Sequence, residues 1–149
     1  MTGWPTPVID RGDEREVTAV WNTYFHCRAL RQTRDKTPDS DEPAYKGAQH
    51  TGAQVRSFFD ADLATLADVT PAQALAANQR LVKLLTGSRW MVMRDAREAG
   101  DSWTAIGDAL GMSKQGAVDW YRRKIADQEK YLPDFHDTER ARAVLGESE

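Results

Sequence analysis

Covalent and metal chemistry find little to work with in this chain of 149 residues. Its single cysteine, Cys27, directly follows His26. Neighbours on a helix point about 100° apart, so these two cannot chelate one ion or act as nucleophile and base. His50 and His136 lie in unrelated contexts. Carboxylates are numerous, but none sits in a glycine-rich or apolar setting that would tune an acid. No phosphate-cradling loop, nucleophile elbow or zinc spacing occurs. The expectation is therefore no catalytic residue, no metal, no cofactor and no enzyme. What remains is chemistry by charge and hydrogen bonding, concentrated in Lys114, Gln115, Asp119, Arg122 and Arg123.

The elements that position these five are legible from residue 101 to residue 124. Ile106 and Leu110 lie four apart on one face of a helix predicted over 102–110. Gly107 sits on the same side, where a helix crossing closely leaves no room for a side chain. Gly111 supplies the positive φ of a sharp helix exit, and Met112 plugs the angle between two helices. Ser113 is a good N-cap for a second helix over 114–130. Ala117, Tyr121 and Ile125 face inward on that helix, which leaves the five polar residues on or near its outward face.

This stretch resembles the helix-turn-helix of transcriptional regulators, through Ile106-Gly107-x-x-Leu110-Gly111-Met112-Ser113, Lys114-Gln115 and an aromatic-plus-arginine ending. The run-in from Ala96 to Gly107 is similar to that of helix-turn-helix proteins from actinobacteria and their phages. The likeness covers residues 88–125. Two departures stand out: Gly116 lies inside the second helix at a cost of about 1 kcal/mol against alanine, and Asp119 occupies a position that is often neutral or basic.

The resemblance implies sequence-specific binding of double-stranded DNA by a repressor or activator, with the second helix entering the major groove N-terminus first. Ser113, Lys114, Gln115 and Asp119 are then nearest the base edges, and Val118 touches a thymine methyl. Gln115 pairs with adenine through two hydrogen bonds, and Lys114 reaches guanine acceptors or a phosphate. Arg122, Arg123, Ser102 and Thr104 contact phosphates. The plainer alternatives are a packing corner without nucleic acid and, for Arg122-Arg123-Lys124, an ordinary solvated face. Trp90, Trp103 and Trp120 flank or lie within the motif, and core packing is a simpler use for them than base stacking.

Charge is distributed unevenly. The whole chain carries −3, yet residues 80–125 hold nine basic and five acidic residues, a net of +4. Residues 1–79 carry eight basic and eleven acidic, and residues 126–149 three and seven. A local basic excess can steer a polyanion even when the total is negative. One cysteine allows no internal disulfide, which fits a reducing cytoplasm. No apolar run approaches the roughly 20 residues of a membrane helix, and the N-terminus lacks the shape of a signal peptide.

The rest of the chain reads as all-α, with no alternating strand pattern and no repeat. Residues 1–12, with Trp4-Pro5-Thr6-Pro7, look extended. A helix from Asp13 to about Arg34 carries the stripe Val17, Val20, Trp21, Tyr24 and Phe25. Residues 35–53 read as a long, mobile loop. A second helix over 53–67 presents Val55, Phe58, Phe59, Leu63 and Leu66. Thr70-Pro71-Ala72-Gln73 forms a capping box that starts the next helix. That helix either ends at Gly87, with Ser88 capping a new one, or continues to Ala99; Gly100 closes it in both cases. Tyr131, Leu132, Pro133 and Phe135 form an apolar link to a short last helix capped by Asp137. The predicted domains are a helical region over 1–69, a DNA-binding unit over 70–130 and a tail over 131–149. A single such unit makes few contacts, so the two N-terminal stripes either pair two copies or close the monomer core. The competing function is an interaction module that binds a host protein through acidic ends; a DNA-bending recombination factor is a third.

Overall fold

Helices are the only extended regular elements in the computed structural model, which describes residues 5–146. They are α1 (Thr6–Arg11), α2 (Glu14–Lys36), α3 (Gly52–Thr65), α4 (Pro71–Gly87), α5 (Arg89–Glu98), α6 (Trp103–Leu110), α7 (Lys114–Tyr131) and α8 (Thr138–Ala143). No described helix is long and apolar enough to cross a membrane. The chain divides into two compact units, residues 1–84 and 85–149, so the division falls inside α4 and not at its capped start.

In the N-terminal unit, local chemistry starts each major helix. Asp13 and Glu16 form a reciprocal capping box at the head of α2, and Thr51 and Gln54 form another at α3. Thr70 and Gln73 do the same for α4, with Gln73 N–H donating to the Thr70 hydroxyl at 3.2 Å and Thr70 N–H to the Gln73 side chain at 2.9 Å. One expectation fails: residues 6–11 are helical, not extended. Pro7 has a φ already suited to a first helical turn, and Ile9 on α1 is buried. Residues 1–4 of that extended reading lie outside the described residues.

The core of this unit joins Ile9, Val17, Val20, Val69, Ala74 and Ala77, with Trp21, Tyr24, Leu81 and Leu84 half-buried against it. The α2 stripe therefore closes the core through Val17 and Val20, while Phe25 and, on α3, Phe58 stay exposed. The 37–51 connection is tied down by backbone bonds, among them Ala44 N–H to His50 O and Gly52 N–H to Glu42 O. Arg56 adds two bonds to the carbonyls of Arg34 and Thr37. Gly52 is required here, because any Cβ would collide with the Pro38 carbonyl.

Gly87 ends α4 and α5 starts afresh at Arg89, the first of the two sequence alternatives; the Ser88 side chain makes no cap bond. The C-terminal unit packs Trp90, Met93, Trp103, Ile106, Ala117, Tyr121, Ile125 and Ala141 into one core, with Val144 and Leu145 against it. Residues 138–145, read from sequence as a tail, thus belong to this core. The Tyr121 hydroxyl, fully buried, donates to the Ala141 carbonyl at 2.7 Å. Burial pushes its pKa up to about 12.

Candidate nucleic-acid interface

Two short turns set the directions of α5, α6 and α7. At the second, Gly111 adopts φ +66° just beyond α6. Its N–H donates to Asp108 O at 3.2 Å, and Met112 N–H donates to Gly107 O at 2.9 Å. These two bonds satisfy carbonyls that a helix end leaves open. Ser113 then accepts the Gly116 N–H at 3.0 Å and starts α7. Gly107 is indispensable, although not for the expected reason. What crowds it is the turn itself: an added Cβ would stand 2.7 Å from Met112 O and 3.1 Å from Ser113 O. Met112 is half-buried against the core, as its plugging role requires.

The nine residues expected to touch DNA sort into three groups. Ser113, Lys114, Gln115, Asp119, Arg122 and Arg123 are exposed along α7, and Thr104 is exposed near the start of α6. Ser102 is half-buried, and its hydroxyl caps α6 by accepting Ala105 N–H at 3.1 Å, a structural use not foreseen for it. The spacing did contain the signal, since a serine follows glycine by two residues at both turns. Val118 is half-buried and packs on the core, so much of its side chain is already engaged.

Asp119 organises the exposed group. Gln115 Nε2 donates to its Oδ1 at 2.9 Å, and Arg122 Nη1 donates to the same oxygen at 3.0 Å. These partners lie four residues before and three after, the spacings that bring helix side chains together. The carboxylate thereby offsets part of the positive charge of α7.

A second cluster escaped the sequence reading. The Arg89 guanidinium lies 5.3 Å and the Lys124 ammonium 5.7 Å from the Trp120 ring centroid. Cations favour the negative face of an aromatic ring. Arg123 and Lys124 border a shallow cleft with Trp120 and Asp127. The Trp120-to-Lys124 step of four was a usable signal, but Arg89 arrives from another helix and left none.

Other cations of this unit are already engaged. Arg94 pairs with Asp95 at 2.8 Å, and Arg97 donates to the Asp101 carbonyl at 2.7 Å while lying over Trp103. Arg140 grips Glu98 with two bonds of 2.7 and 2.6 Å, and Arg142 grips Glu129 with two of 2.7 Å. The hydrogen bonds from these arginines hold both glutamates below the usual carboxylate range. Arg89, Arg123 and Lys124 form no ion pair among the described residues, so part of the unneutralised charge lies around Trp120, while Lys130 lies over Tyr131.

An apolar groove of about 350 Å³ lies between α5 and α6, lined by Val92, Met93, Ala105, Ile106, Ala109 and Leu110 among others. Compared with family models, curated proteins and solved structures, the chain shows no match.

Proposed function

We propose that the protein binds double-stranded DNA through α6 and α7 as a helix-turn-helix unit and acts as a sequence-specific transcriptional regulator, without catalysis. The observation that carries this reading is the exposure of the α7 tip: Ser113, Lys114 and Gln115 all face solvent at a helix start held by Gly111 and Ser113. A tip sealed inside the protein would have been incompatible with it. The unpaired cations Arg89, Arg123 and Lys124 supply charge for phosphates on the same unit. The implied compartment is the cytoplasm, where DNA is reached and a lone buried thiol such as Cys27 stays reduced. One reading helix makes few contacts, so the reading includes a second copy, paired through the exposed Phe25 and Phe58 of the N-terminal unit.

The test is selection of genomic fragments followed by a salt titration of the selected duplex. Binding should weaken steeply with salt, and a Lys114→Ala, Gln115→Ala double variant should lose affinity and sequence preference together. Equal, salt-insensitive binding by both proteins, or none by either, would reject DNA as the ligand.

The second reading, a protein-interaction module, is favoured by one observation, the apolar groove between α5 and α6. Val92→Glu separates the two. It leaves DNA affinity unchanged under the first reading and abolishes binding of a stoichiometric protein partner under the second.

A further inference from the structure

We propose that Asp119 makes the reading face of α7 an acceptor edge, which selects cytosine or adenine, and not guanine or thymine, on the contacted strand. This rests on the DNA-binding reading and specifies the class of sequence that α7 would recognise. A glutamine amide offers two N–H donors and a carbonyl acceptor, and one N–H used with the carbonyl matches N7 and N6 of adenine. Here one of the two N–H groups is already committed, since Gln115 Nε2 donates to Asp119 Oδ1 at 2.9 Å. That leaves the Oε1 acceptor and one N–H on Gln115, so the acceptor character of the edge comes chiefly from Asp119. Asp119 is acceptor-only when ionised. Both of its side-chain bonds end on Oδ1, so Oδ2 stands beside them as a further acceptor. Arg122 holds the carboxylate from the other side at 3.0 Å and reduces its repulsion of the phosphate backbone.

The major groove offers two kinds of donor to such an edge, the N4 amine of cytosine and the N6 amine of adenine. Guanine O6 and thymine O4 are acceptors and meet the same edge with repulsion. The aspartate that looks out of place in a DNA-facing helix thereby acquires a use, as a filter against two of the four bases. It also adds cytosine to the adenine pairing expected of an isolated Gln115. Exposed ion pairs of the Asp119–Arg122 kind contribute little to folding. Asp119→Asn, which keeps the shape and introduces a donor, is therefore a probe of recognition and not of stability.

The experiment selects sites from a random duplex library with the full-length wild type and with Asp119→Asn. Anisotropy titrations then compare the selected duplex with its three single-base variants at the position read by residues 115 and 119. The wild type should favour cytosine or adenine there by about tenfold or more, the scale of one good base contact. Asp119→Asn should lose that preference, accept guanine, and bind all duplexes more tightly through loss of a negative charge. A wild-type site carrying guanine or thymine at that position, or an unchanged preference in Asp119→Asn, overturns this proposal and leaves DNA binding standing. Failure of the wild type to enrich any duplex overturns both, and so is distinguishable from failure of the filter alone.

Discussion

The corner between α5 and α6 and the corner between α6 and α7 are written in the same letters and do different work. Each places a glycine at positive φ, Gly100 at +100° and Gly111 at +66°. Each has a serine two residues later that caps the following helix. Even the closing bonds correspond, with Gly100 N–H to Arg97 O and Asp101 N–H to Ala96 O at the first corner. The difference lies in two side chains. The middle residue is exposed Asp101 at one corner and half-buried Met112 at the other. The residue whose carbonyl closes the turn is Ala96 at one and Gly107 at the other. Identical hydrogen bonding thus tolerates a Cβ where the turn stays clear of the helix and forbids it where the turn backbone folds onto the helix.

The comparison is most exposed to failure at Gly107. Gly107→Ala should destabilise the protein by about 2–3 kcal/mol, because the clash is with backbone that cannot rotate away. Ala96→Gly at the corresponding place should cost only about 1 kcal/mol, the ordinary helix penalty. Urea unfolding followed by circular dichroism measures both, and a neutral Gly107→Ala would break the argument.

A smaller effect sharpens what the corners share. Gly100→Ala and Gly111→Ala meet open space, so each should cost only the conformational penalty of positive φ, about 1 kcal/mol. The same unfolding assay should show the larger loss at Gly100, because +100° lies outside the left-handed well that Gly111 occupies at +66°; a larger loss at Gly111 would mean that tightness there depends on more than Gly107.

The smallest expected changes are those of the caps. Ser102→Ala and Ser113→Ala should each cost about 0.5–1 kcal/mol, and the double variant should lose the sum, since the two hydroxyls have separate partners. Thermal unfolding of the two single variants and the double variant checks the additivity.

Much of the fold was legible because capping and turn chemistry are local. Thr70 with Gln73, Gly111, Ser113 and Asp137 lie within four residues of the groups they satisfy. The inward set Ile106, Gly107, Ala117, Tyr121 and Ile125 was equally readable, since helical periodicity fixes a common face. The helix at 6–11 was missed because two prolines suggested extension, while burial of Ile9 depends on a partner elsewhere in the chain. At the candidate site, the exposed residues of α7 were foreseen, but not Arg89 beside Trp120 or the capping use of Ser102.

Residue order alone determined where the capped helices α2, α4, α6 and α7 begin, that the chain is all-α, and that basic charge concentrates over 80–125, because each depends on neighbours a few positions away. Only tertiary structure decided that α8 completes the C-terminal core through Ala141, that Arg140 and Arg142 are held by Glu98 and Glu129, and that Arg89 joins Lys124 over Trp120. Those outcomes require side chains from separate helices to converge, and convergence is set by packing, which no local pattern encodes.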